Sequence, residues 1–160
     1  MHTISVVKQK ILTLKELPFL LKRWQLKEEK IVFTNGCFDL LHQGHIYTLS
    51  QAADHGTKLI VGLNSDSSVR QLKGPTRPVQ DEQSRAMVLA SLFFVDVVLI
   101  FEQPTPYELI KIIQPGVLVK GGDYTPDTIV GADIVAANGG QVVIIPYLSG
   151  FSTTGIIAKM

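Results

Sequence analysis

The chain has 160 residues, 46% of them hydrophobic and 18% charged, with 13 Gly and 8 Pro. That composition excludes disordered and collagen-like classes and fits one globular domain with one core. Its single cysteine, Cys37, excludes an intrachain disulfide; with no apolar run near the roughly 20 residues of a membrane helix and no secretory signal pattern, a cytoplasmic protein with no membrane partner is expected. The net charge of +1 gives no reason to expect a nucleic acid partner.

Residues 1–30 carry seven basic side chains against three acidic ones. Apolar positions at Val7, Ile11, Leu14 and then Leu17, Leu20, Leu21, Trp24 predict two short amphipathic helices over about 6–26, with Pro18 at a helix start. We read residues 1–29 as an N-terminal helical extension and 30–160 as the main domain. From Lys30 the pattern becomes β-branched runs at Ile31–Thr34, Leu59–Leu63, Val95–Phe101, Val117–Val119 and Val142–Ile145. Helical stretches are predicted between them at about 44–54, 65–72, 82–92, 105–113 and 130–138. Apolar strands separated by helices imply a parallel sheet covered on both faces. The expected fold is therefore α/β: a Rossmann-like three-layer domain with a central parallel sheet of about five strands. Its ligand belongs beyond the carboxyl ends of the strands, which singles out the first strand-to-helix turn.

That turn contains neither a P-loop nor a Gly-x-Gly-x-x-Gly fingerprint. It reads Thr34-Asn35-Gly36-Cys37-Phe38-Asp39-Leu40-Leu41-His42-Gln43-Gly44-His45. His42 and His45, three apart on a first helical turn, share a face near free backbone N–H groups, an arrangement suited to an anion. Gly36 and Gly44 let a base or phosphate approach the backbone. A duller reading treats Cys37, His42 and His45 as zinc ligands with Cys-x4-His-x2-His spacing. The other cations cluster at Arg70, Lys73, Arg77 and Arg85, and the polar, Gly- and Pro-interrupted segment 66–80 reads as a lid over bound nucleotide.

Gly36-Cys37-Phe38-Asp39-Leu40-Leu41-His42-Gln43-Gly44-His45 resembles the Gly-x-Phe-Asp-x-x-His-x-Gly-His signature of the cytidylyltransferase-like nucleotidyltransferase superfamily. Ser152-Thr153-Thr154 is similar to that superfamily's Ser-Thr-Thr element, although helix capping also favours these residues. Segments 64–78 and 117–124 resemble the adenylyltransferase domain of ADP-heptose synthases. The resemblance implies transfer of AMP from ATP, with Mg²⁺, to D-glycero-β-D-manno-heptose 1-phosphate, giving ADP-heptose for lipopolysaccharide or related glycans. It implies a homodimer, with apolar surface around Met87–Phe94 available for a second copy. It also implies a separate sugar kinase and phosphatase upstream, because the fused kinase of many relatives is absent from this chain.

By the same resemblance His42, His45, Lys73 and Arg85 are catalytic, the last two as charge clamps on phosphates. Asn35, Gly36, Cys37, Phe38, Gly44, Ser152, Thr153 and Thr154 join the histidines around the nucleotide. Asp39, Lys120 and Asp123 are expected at the acceptor, Asp39 on its hydroxyls or on a metal through water, and no residue is assigned as a direct metal ligand. One departure stands out: related glycerol-phosphate cytidylyltransferases carry Arg-Thr-x-Gly before Ser-Thr-Thr, where this chain has Tyr147-Leu148-Ser149-Gly150. The missing arginine leaves Arg77 or a basic residue of 1–30 to neutralise the triphosphate. The alternatives are a cytidylyltransferase on a small alcohol phosphate such as glycerol 3-phosphate, or a nucleotide- or zinc-binding module without turnover.

Overall fold

The structure, a computed structural model, describes residues 3–160. Strands β2 (Ile31–Gly36), β3 (Lys58–Asn64), β4 (Val97–Phe101), β5 (Val117–Gly121) and β6 (Gln141–Ile145) lie within about two residues of their predicted bounds. Between them run α3 (Gln43–Ala53), α4 (Asp66–Lys73), α5 (Glu82–Ser91), α6 (Tyr107–Ile113) and α7 (Ala132–Ala137). A last short helix, α8 (Thr153–Ile157), begins at the Ser-Thr-Thr.

The N-terminal segment differs from the reading as two consecutive helices. It forms α1 (Thr3–Lys8), strand β1 (Ile11–Leu12) and α2 (Leu17–Leu26), the last with Pro18 in its first turn. Ile11 and Leu12 pair in parallel with Val98 and Leu99, and the Val98 N–H donates to the Lys10 carbonyl at 2.8 Å. A two-residue strand carries no period to detect; what fixes it is the edge of β4, with each paired residue 87 positions along the chain. The sheet accordingly has six strands rather than five, all parallel, in the order β1-β4-β3-β2-β5-β6.

Alternation along the strands divides the core between two faces. Val32, Leu59, Val61, Val98 and Val119 pack with Leu49 of α3 and Ala86 and Leu89 of α5. Their neighbours Phe33, Ile60, Leu99 and Leu118 pack on the other face with Leu17 and Trp24 of α2, Ile110 of α6 and Val135 of α7. The expected three layers result, with α2 completing one of them. Beyond α5, Phe93 is 90% exposed, so the Met87–Phe94 segment does present apolar surface.

The chain runs outward from β2 through β3 to β4, then returns to the other side of β2 for β5 and β6. The strand order reverses between β2 and β5, and a crevice opens at their carboxyl ends.

Candidate active site

A cavity of about 870 Å³ occupies that crevice, lined by the turn after β2, the ends of β3 and β5, and the start of α8. Asn35, Gly36, Cys37, Phe38, Asp39 and Gly44 all reach its wall. So do His42, His45, Lys73 and Lys120, and the Ser152–Thr154 stretch closes one side. Two expected residues do not: Arg85 and Asp123 are absent from the lining.

The histidines are fixed by the backbone. His42 is the N-cap of α3, its Nδ1 accepting the Gly44 N–H at 3.1 Å, while His45 Nδ1 accepts the His42 N–H at 3.3 Å. This is a capping box built from two imidazoles in place of Ser and Glu. Because each Nδ1 is an acceptor, this pattern assigns the proton of each neutral ring to Nε2. The rings stack with centroids 3.8 Å apart, and Phe38 meets His45 edge-on at 5.3 Å. Burial lowers the pKa of both, and for His45 burial together with the neighbouring His42 brings it down to about 4. At neutral pH the pair therefore offers uncharged N–H donors. The zinc reading gains nothing here: both Nδ1 atoms are occupied, and among the described residues no group of three or more His, Cys, Asp or Glu is placed to hold a metal. Burial raises the Cys37 thiol pKa despite nearby Lys73, Arg85 and Arg77, which leaves it protonated.

Gly44 sits tightly against this packing. A Cβ there would lie 3.0 Å from His42 Cε1 and 3.2 Å from Phe151 Cβ. Alanine gains roughly 1 kcal/mol in helix propensity, which offsets part of the crowding cost. Gly44→Ala is thus expected to leave the urea midpoint nearly unchanged while lowering turnover about tenfold by displacing the His42 ring; parallel unfolding and rate measurements check this.

Arg85, expected as a clamp on reacting phosphates, lies behind the cavity wall rather than in it. Its side chain is fully buried; Nε donates to the Gln80 carbonyl at 3.0 Å, and Nη1 to the Cys37 and Asn64 carbonyls at 2.7 and 2.8 Å. Nη2 donates to Asp66 Oδ1 at 2.7 Å. The guanidinium ties the ends of β2 and β3 to the starts of α4 and α5. It shapes the cavity from behind.

Asp39, expected on acceptor hydroxyls or a metal-bound water, reaches the cavity wall with its carboxylate already engaged. It is 2% exposed, and its oxygens accept from Arg77 Nε at 2.6 Å and from the Val79 and Gln80 N–H groups at 2.8 and 3.1 Å. Burial works to raise its pKa, but bonds from Gln80, Val79 and Arg77 prevail and hold it below the usual carboxylate value. These bonds also narrow the lid reading, since 66–73 is helix and 77–80 is pinned. Asp123 lies exposed past Gly122 and is not part of the cavity lining.

Lys120, at the end of β5, donates to Asn35 Oδ1 at 3.0 Å across the point where strand order reverses. Burial pulls its pKa down. Ser152 caps α8 by accepting the Gly155 N–H at 3.0 Å, and the Thr153 hydroxyl donates to the Leu40 carbonyl at 3.4 Å, so the capping reading of these residues holds as well. Sequence reasoning missed further parts of the wall, among them Pro104, Pro106, Ile129, Val130 and Tyr147. These follow the carboxyl ends of β4, β5 and β6, the signal that could have found them.

A doubly covered parallel sheet with its cavity at the reversal of strand order is a Rossmann-like arrangement, the class of α/β protein whose ligands bind outside the carboxyl ends of the strands. Residues 33–158 match the family model described as Cytidylyltransferase-like, and the chain belongs to that family. It is 57% identical over 138 residues to the "Bifunctional protein HldE" of Hyphomonas neptunium, covering 86% of this chain and 28% of that protein. The protein of the same name from Koribacter versatilis is 52% identical over 158 residues, covering 99% of this chain and 32% of the relative. This chain thus spans under a third of the length of these relatives. Among solved structures, a lipopolysaccharide core biosynthesis protein from Thermoplasma volcanium aligns with TM-score 0.60 and 26% identity, over 75% of this chain and 97% of that one. A pantoate-beta-alanine ligase from Francisella tularensis, with TM-score 0.61 and 19% identity over 93% of this chain and 76% of that one, shares the fold.

Proposed function

We propose that the chain transfers AMP from MgATP to D-glycero-β-D-manno-heptose 1-phosphate, giving ADP-heptose and pyrophosphate for surface-glycan synthesis. The observation that carries this reading is the imidazole capping box facing a cavity whose charged lining is Lys73, Arg77 and Lys120 against the single acid Asp39. Such a site suits two phosphorylated reactants. Likeness to HldE proteins at 52–59% identity and to the Thermoplasma protein supports the sugar pathway.

In the reaction an oxygen of the sugar phosphate forms a bond to the α-phosphorus while the bond from that phosphorus to the β-bridging oxygen breaks, and pyrophosphate leaves with the electron pair. A phosphate monoester is nucleophilic at neutral pH, so no protein nucleophile or general base is needed and the work is positioning and charge stabilisation. The Nε2–H groups of His42 and His45 donate to the α-phosphate as charge builds on it. Ser152, Thr153 and Thr154 hold the distal phosphates, and Lys73 and Lys120 add charge at opposite sides. The residues fit no resident metal, because the carboxylate of Asp39 is engaged by the 77–80 segment. Mg²⁺ is therefore part of the substrate, bound to the phosphates of ATP.

The test is pyrophosphate release with Mg²⁺, pairing ATP or CTP with the two heptose 1-phosphate anomers and with glycerol 3-phosphate. Turnover with ATP and the β-anomer alone is expected. Turnover with CTP and glycerol 3-phosphate would replace this reading, and silence from folded protein would point to a binding module.

A further inference from the structure

We propose that Arg77 binds a phosphate group of the reactants, with Asp39 as the positioning residue that aims its guanidinium into the cavity. The inference rests on the reading of the cavity as a site for two phosphorylated reactants. The segment before α8, Tyr147-Leu148-Ser149-Gly150, holds no cation, and no basic residue between 3 and 30 lines the cavity. Of the two arginines close to the turn after β2, Arg85 is buried with both Nη atoms engaged. Arg77 is the guanidinium left to meet a ligand.

Its geometry suits the task. The Arg77 side chain is 17% exposed, lines the cavity, and meets Asp39 through Nε alone at 2.6 Å. Among the described residues neither Nη atom has an acceptor, so up to four N–H donors of this cavity-lining side chain are left for a ligand. A pair serving stability alone is frequently a two-bond fork, with both carboxylate oxygens taken up by the guanidinium. Here Asp39 spends its other bonding capacity on the Val79 and Gln80 N–H groups, which fixes the segment carrying Arg77. The side chain is thereby ordered before the ligand arrives, which reduces the entropy lost on binding. Planar terminal N–H groups match two oxygens of one phosphate.

The source of that phosphate, nucleotide or acceptor, is read out by experiment on the full chain. Arg77→Ala, Arg77→Lys and Asp39→Asn are compared with the parent in pyrophosphate release, varying each reactant in turn. Calorimetric binding of inorganic tripolyphosphate and of heptose 1-phosphate, and urea midpoints, accompany the rates. Arg77→Ala is expected to raise the KM of one reactant about tenfold or more, Arg77→Lys to recover little of it, and Asp39→Asn to shift the same KM by less. Weakened tripolyphosphate binding assigns the nucleotide; weakened heptose 1-phosphate binding with tripolyphosphate unchanged assigns the acceptor. If the alanine variant unfolds, Arg77→Gln, which keeps a donor for Asp39, takes its place. Parental KM values for both reactants, with parental binding of both probes, would overturn the proposal. A parent that binds tripolyphosphate through Arg77 yet does not turn over heptose 1-phosphate would sink the adenylyltransferase reading and leave this one standing.

Discussion

Replacing Arg85 with methionine is expected to cost about 3–5 kcal/mol of folding stability, a large share of the 5–15 kcal/mol of an ordinary domain. The change would leave the Cys37, Asn64 and Gln80 carbonyls and the Asp66 carboxylate without the donors that now meet them at 2.7–3.0 Å. Each orphaned acceptor in that location costs roughly 1–3 kcal/mol, and methionine returns part of this through apolar contact. Arg85→Lys should recover little, because an ammonium cannot span four acceptors laid out for a planar fork. Urea unfolding gives the answer. A loss under about 1 kcal/mol would mean that the guanidinium is dispensable to the fold and would return it to the phosphates.

The second large effect is in turnover. His42→Ala or His45→Ala should reduce the rate by about 10²–10⁴, the scale of a lost transition-state donor, while stability falls by only about 1 kcal/mol for the broken cap. Parental rates in both variants would remove the histidines from the mechanism. The pair also sets a pH dependence of stability. The folded pKa of His45 is depressed to about 4 from 6.5, so between these values the unfolded chain binds more protons. The His45 contribution is then lost as pH falls through this window and is fully gone below about 4, a loss of roughly 2–3 kcal/mol that His45→Ala should remove from the pH profile, while the carboxylate of Asp39 adds its own loss at lower pH.

Most of the architecture was legible because apolar strands and amphipathic helices alternate strongly from Ile31 onward. The sheet order was not, since adjacency of β5 to β2 depends on which face each crossover takes. Strand β1 was missed for a related reason: Ile11 also satisfies a helical spacing with Val7 and Leu14, and only the open edge of β4 decides between the two. At the site, the placement of His42, Gly44 and His45 on the first turn of one helix was legible from spacing, because a short local motif carries its own geometry. The partners of Arg85 and Asp39 were not legible, for the opposite reason. A charged residue near a phosphate site in sequence can point toward it or away, and both are buried against backbone from segments 21 to 48 residues distant. Charge identity was readable; direction was not.

The two-residue strand β1 also bears on how the molecule behaves among its copies. Without it the five residues of β4 would form the sheet's edge, a hydrophobic row of open N–H and C=O groups that another chain could extend. With it the sheet ends in a stub flanked by Lys10, whose Nζ is anchored on the Leu92 carbonyl at 3.1 Å, and by exposed Lys15. A strand seeking to add there finds too few paired positions and two positive charges, so this edge resists the edge-to-edge growth that begins aggregation.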